Sequence, residues 1–124
     1  MVTRSVATKL LKVYGRAWEG RDPELILTIF AKDAVYKERA YSKHYSGLAG
    51  VKKYWTSKVV GEQRDIHFKL LNLFIDGDTV IAEWEARFYD TKRGIHIRFK
   101  EAAIMTIRNN KIKELREYWS SKHY

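Results

Sequence analysis

Cysteine is absent from the 124-residue sequence, which excludes a disulfide framework, a thiolate zinc site and a thiol nucleophile. Proline occurs once and glycine seven times, too few for a low-complexity or disordered chain. No apolar run is long enough to span a bilayer, and no charged start followed by a hydrophobic stretch marks a secretory leader. The expectation is a single cytosolic domain over residues 1–124, because a chain of this length buries a useful core unaided. The four histidines, His44, His67, His96 and His123, show no metal-ligand spacing. Neither a glycine-rich phosphate loop nor a G-x-S-x-G elbow is present. No metal and no cofactor is expected.

Acidic residues are in the minority: 15 Asp and Glu stand against 24 Lys and Arg, for a formal charge of +9. Such a balance favours anionic partners, nucleic acid included. The basic residues are nevertheless scattered, never more than two in a row. Their densest stretch, Lys37 to Lys58, is interleaved with Tyr36, Tyr41, His44, Tyr45, Tyr54 and Trp55, a mixture that could grip phosphates and stack bases. No nucleic-acid motif accompanies it, so a solvated rim over core aromatics is the preferred reading and nucleic-acid binding a distant one.

The first half of the chain reads as helices. Ala7, Leu10, Leu11, Tyr14, Ala17 and Trp18 recur at spacings of three and four, and Gly20 ends that helix. Asp22-Pro23 restarts one, with Leu25, Ile26, Ile29 and Phe30 as its buried stripe. A strand is expected from Ala34 to about Ala40, and Ser46-Gly47 opens a third helix bearing Leu48, Val51, Tyr54 and Trp55 on one face. The second half reads as strands: Ile66 to Ile75, Thr79 to Tyr89, Ile95 to Arg108 and Lys111 to Trp119, joined at Asp76-Gly77-Asp78, Asp90 to Gly94 and Asn109-Asn110. Helices followed by a strand meander give an α+β fold, with three N-terminal helices packed on one face of a curved, mostly antiparallel sheet. The other sheet face keeps Ile81, Tyr89 and Ile104, which suits a homodimer interface.

One residue breaks its pattern. Ile95, Ile97, Phe99, Ala103, Met105 and Ile107 share a strand face, and Glu101 stands in the middle of it. A carboxyl among apolar groups has its pKa raised by desolvation, which fits it for acid/base work near neutral pH, unless it serves as a paired structural carboxylate. Glu38 shares a face with Ala34 and Tyr36 but has Lys37 and Arg39 beside it, which should keep it ionised. Glu117, with Leu115 and Trp119, also faces inward. Tyr14 on the apolar stripe of the first helix supplies burial and one hydroxyl.

The stretches Tyr14 to Asp22, Ile29 to Tyr36, Ser46-Gly47 with Tyr54-Trp55, Asn72 to Trp84, and Asn110 to Trp119 together resemble SnoaL-like domains. These are part of the nuclear transport factor 2-like superfamily, to which ketosteroid isomerase also belongs. The resemblance covers nearly the whole chain and implies a cone-shaped scaffold with an internal pocket, a homodimer and a small hydrophobic ligand. It also implies a pocket lined by Tyr14, Trp18, Phe30, Tyr54, Trp55, Trp84, Phe88, Glu101 and Trp119. Tyr14 falls at the position of the isomerase tyrosine that donates to the substrate oxyanion, and Glu38 at that of its general base. The isomerase's third group, a protonated aspartate, has Ala103 at its position, one inward step from Glu101. The ending Tyr118-Trp119-Ser120 lacks the acid common in the family. Acid/base isomerisation or cyclisation of a carbonyl compound and non-catalytic ligand binding both follow from this resemblance, with Tyr14, Glu38 and Glu101 as the candidate catalytic residues.

Overall fold

A computed structural model describes all 124 residues, from Met1 to Tyr124. Helix α1 (Arg4–Glu19) starts where the Thr3 hydroxyl oxygen accepts from the Val6 amide, and its stripe from Ala7 to Trp18 is buried as the spacing predicts. Helix α2 (Pro23–Leu27) is capped by Asp22, whose carboxylate accepts from the Leu25 amide. It is shorter than its apolar pattern suggests. Phe30, expected on its stripe, instead opens strand β1 (Phe30–Lys37), so this strand begins and ends earlier than Ala34 to Ala40. The cause is tertiary: β1 runs parallel to the last strand, Phe30 stands opposite Ile112, and the Ile112 amide donates to the Ile29 carbonyl at 2.7 Å. Ladder pairing supplies those backbone groups with partners that one more helical turn could not bring to the sheet.

A two-residue strand β2 (Tyr45–Ser46) borders β1 and leads into helix α3 (Gly47–Tyr54), which continues as a π-helical segment, Trp55–Val60. Such segments are rare and tend to occur at functional sites; this one carries Trp55 and Val59 into the interior. Four long strands follow: β3 (Gln63–Asp76), β4 (Thr79–Asp90), β5 (Ile95–Arg108) and β6 (Lys111–His123). The sheet order is β2-β1-β6-β5-β4-β3, antiparallel throughout except for the β1–β6 pair. The three helices pack on one face of this curved sheet, which stays open at β2 and β3. Asn109 and Asn110, both left-handed (φ 51° and 61°), make the two-residue turn between β5 and β6, the backbone hand that matches strand twist. No helix is long and apolar enough to cross a membrane.

Helix α1 approaches the sheet so closely that Gly15 has no room for a side chain. A Cβ there would lie 2.6 Å from Cδ1 of Phe68, whose ring is wedged against Tyr14, Trp18 and Trp84. Gly15→Ala gains helix propensity but overpacks this contact, and the overpacking wins. The expected result is a loss of about 1–3 kcal/mol in urea unfolding at an unchanged m-value.

Candidate functional site

Strand alternation decides which side chains reach the helix-covered face. On β4, Val80, Ala82, Trp84, Ala86 and Phe88 are buried; on β5, Ile97, Glu101, Ala103, Met105 and Ile107 are buried. Register then sets neighbours across the strands. Trp84, Glu101 and Trp119 form one row over β4, β5 and β6, and Ala82, Ala103 and Glu117 form the next. Glu101 and Glu117 are therefore diagonal neighbours on one face, within reach of each other. The position at which the isomerase has its third acid, Ala103 here, is paired directly with Glu117.

Glu101, Glu117 and Trp119 line a cavity of about 340 Å³ between helices and sheet. Tyr14, Trp18, Glu38, Tyr54, Trp55, Phe88, Glu101 and Trp119, all anticipated, line it; so do Tyr36, Phe99 and Glu117. Phe30 and Trp84, expected in the lining, are not there. Phe30 packs behind Tyr36 with ring centroids 5.8 Å apart. Trp84, fully buried, packs behind Tyr14 at 5.0 Å and Phe68 at 5.4 Å. Both point inward as alternation requires, but it is their ring neighbours Tyr36 and Tyr14 that line the cavity.

The Tyr14 hydroxyl donates to Oε2 of Glu117 at 3.2 Å and lies 3.3 Å from the Tyr36 hydroxyl. Burial raises the pKa of Tyr14, Tyr36 and Tyr54 well above the phenol value, and the nearby charge of Glu117 raises them further, so all three stay neutral donors. Glu101 and Glu117 are displaced upward as well, each mainly by desolvation. For Glu101 the charge of Glu117 adds to the rise. For Glu117 hydrogen bonds from Glu101, Tyr36 and Tyr14 oppose it. Two close carboxyls in a dry site do not readily both ionise, so the pair shares a proton.

Two polar atoms of the lining lack partners. Oε2 of Glu101 and Nε1 of Trp55 are buried without a hydrogen bond, the former in a residue only 4% exposed. Nε1 of Trp84 is also unpartnered; it lies near enough to Glu101 to temper the rise of its pKa without a hydrogen bond of normal geometry. Unpaired groups of this kind each cost about 1–3 kcal/mol, and most buried polar groups avoid that cost.

Glu38 lies just past the end of β1, its side chain 14% exposed, at the outer part of the cavity. Its carbonyl accepts from Nε1 of Trp119 at 3.0 Å, its carboxylate meets Arg39 at 3.5 Å, and the Arg39 guanidinium stacks over the Trp119 ring at 4.8 Å. Glu117 is the site residue that sequence reasoning undervalued. Its alternation with Leu115 and Trp119 showed which way it points, but only the register of β5 against β6 shows that it meets Glu101. No group of three or more His, Cys, Asp or Glu side chains is arranged to hold a metal ion.

Solved structures share this architecture. One is a protein of ketosteroid isomerase-like fold from Catenulispora acidiphila, in complex with trimethylamine: TM-score 0.77 and 20% identity over 90% of this chain and 85% of that one. Another is SalBIII, an epoxide hydrolase/cyclase-like enzyme of pyran ring formation in the polyether salinomycin: TM-score 0.81 and 17% identity over 94% and 95%. A third is an LEH-like epoxide hydrolase of Mycobacterium tuberculosis: TM-score 0.77 and 16% identity over 94% and 84%. At these identities the likeness establishes the fold, and no curated protein matches the chain in sequence. The sequence itself matches the model of the SnoaL-like domain over residues 11–115, and the chain belongs to that family.

Proposed function

We propose that the cavity is the site of acid/base chemistry on a small, mostly apolar carbonyl compound, an isomerisation or cyclisation in which Glu101 moves the proton. The observation that carries this reading is the unpartnered Glu101 carboxyl, buried beside Glu117 at the inner end of an aromatic cavity. A pair holding one proton and one charge can both take a proton and return it. In this scheme the shared proton rests on Glu117 while ionised Glu101 removes the proton next to the substrate carbonyl, and Trp55 Nε1, a buried donor without a partner, meets the oxygen on which charge develops. Tyr14 orients Glu117 through their hydrogen bond. Glu38, nearer the opening, is the second carboxylate available as a base. The complex of the Catenulispora protein and the cyclase chemistry of SalBIII support a fold that accommodates small organic molecules.

Carbon-13 NMR titration of the glutamate carboxyls, with Glu101→Gln to assign the signal, tests the electrostatic premise. Glu101 is expected to titrate well above the ordinary glutamate value of about 4.3; a midpoint at that value means a solvated carboxyl and defeats the assignment. A screen of cyclic ketones and lactones then seeks turnover, which Glu101→Gln should lower by about 10²–10⁴-fold in kcat. One observation favours a second reading, ligand binding without chemistry: the single proton of Tyr14 is already committed to Glu117, so Tyr14 and a carboxyl do not converge on one vacant point. Saturable ligand binding without turnover across the screen would select it.

We also propose a homodimer through the sheet face away from the helices. Phe74, Ile81 and Ile104 form a row across β3, β4 and β5 on that face, with Phe74 59% exposed and Ile81 38% exposed. Sedimentation at micromolar concentration should give twice the 14.7 kDa chain mass; monomer alone overturns it.

A further inference from the structure

Three acid–base pairs ring the opening of the cavity: Arg39 with Glu38 at 3.5 Å, Lys58 with Glu62 at 3.7 Å, and Arg93 with Asp90 at 2.9 Å. These are the only cationic side chains in the lining, and each is matched by its own anion. Glu101 and Glu117 stand behind them with no Lys, Arg or His beside them. A chain of charge +9 thus encloses a cavity whose unmatched charge is acidic.

Buried charge in proteins is paired or neutralised. Glu117 finds donors within the chain, Tyr14 among them. Glu101 shares its proton with Glu117 but keeps one oxygen, Oε2, without a partner and almost without contact with solvent, so its ionised form lacks a counter-charge. The walls around the pair are aromatic, with Tyr54, Trp55, Phe99 and Trp119 in the lining, and ring faces attract cations strongly once water is excluded. Trp55 Nε1 adds an unpartnered donor, which calls for an acceptor oxygen on the ligand.

We infer that the ligand carries an organic ammonium group with an oxygen close by, as in an amino alcohol or amino ketone, the cation seated between Glu101 and the aromatic wall and the oxygen on Trp55. This rests on the reading of the cavity as the ligand site and adds the class of ligand. A bound ammonium supplies the missing counter-charge, so the carboxyl pair releases its proton to solvent and Glu101 becomes ionised, the form that acts as a base. The other titratable groups facing the pair are Tyr14 from α1, Tyr36 from β1, Glu38 just past its end, and Tyr54 from α3. The three tyrosines stay protonated throughout, so the released proton comes from the carboxyls. Carboxylate and phosphate ligands are disfavoured by the same unmatched charge.

Isothermal titration calorimetry with choline, its uncharged isostere 3,3-dimethylbutan-1-ol, and cyclohexanone tests the inference on the intact protein. Choline is expected to bind about tenfold or more tightly than the isostere, the discrimination of a cation by rings and a carboxylate. Its heat should vary with buffer ionisation enthalpy in the sense of proton release, whereas that of the isostere should not. Glu101→Gln should bring choline down to the affinity of the isostere and leave the isostere unchanged. Equal or tighter binding of the isostere, or choline binding without proton release, overturns the inference. Cyclohexanone binding without choline binding overturns the ammonium class and leaves the cavity reading standing; no binding of any of the three at millimolar concentration defeats both.

Discussion

Near pH 8 the Glu101→Gln protein should be more stable than the parent by about 1–3 kcal/mol, because the unfolded chain gains from ionising this carboxyl and the folded chain, where the site is dry, does not. The sign follows from the direction of the shift. Burial and the charge of Glu117 raise the pKa of Glu101 in the folded protein above its unfolded value of about 4.3. Below that value both states hold the proton and the carboxyl costs nothing extra. As pH rises toward the folded-state pKa, the unfolded chain releases the proton while the native chain keeps it, so stability falls. Above the folded-state pKa the penalty is complete and the curve levels. Glutamine does not titrate, so its advantage should vanish near pH 4 and grow through this window. The remaining slope of the variant belongs to Glu117, which is also raised but has donors in Tyr14 and Tyr36. Urea unfolding of both proteins at several pH values supplies the comparison. Parallel curves would mean that Glu101 ionises as freely in the folded chain as in the unfolded one. A gain in stability from deleting a carboxyl is the signature of a group retained for function at the expense of the fold.

Trp84→Ala should have the largest effect on folding, a loss of about 3–5 kcal/mol and a fall in Tm on the order of 10–20 °C. Trp84 is fully buried, stacks behind Tyr14 and Phe68, and stands opposite Glu101 in the sheet. Its removal leaves a void that a strand held by ladders on both sides cannot collapse to fill. Trp84→Phe should cost much less, because the indole N–H it deletes has no partner to lose. Calorimetric melts of the two variants decide the matter; similar losses for both would assign the role of Trp84 to its N–H.

Periodicity and turn chemistry alone determined most of the elements. The 3.6-residue stripe of α1, the Asp22-Pro23 start of α2, the clean alternation of β4, and the Asp76-Gly77-Asp78 and Asn109-Asn110 turns are all local signals, and each matches the structure. The inward direction of Glu101 was equally legible, since alternation acts within one strand. Phe30 was misplaced because its partner, Ile112, is distant in sequence, and a parallel ladder leaves no local mark. For the same reason Phe30 and Trp84 were expected in the cavity wall: a period of two says which face a side chain takes, not how many layers of rings lie above it. The pairing of Glu101 with Glu117, the closure of Glu117 by Tyr14, and the matching of rim cations with rim anions arose only in tertiary structure. Register between β5 and β6 sets which carboxyls meet, and the seating of α1 on the sheet sets which donor reaches them. Both depend on contacts between residues far apart in the chain, where local pattern carries no information.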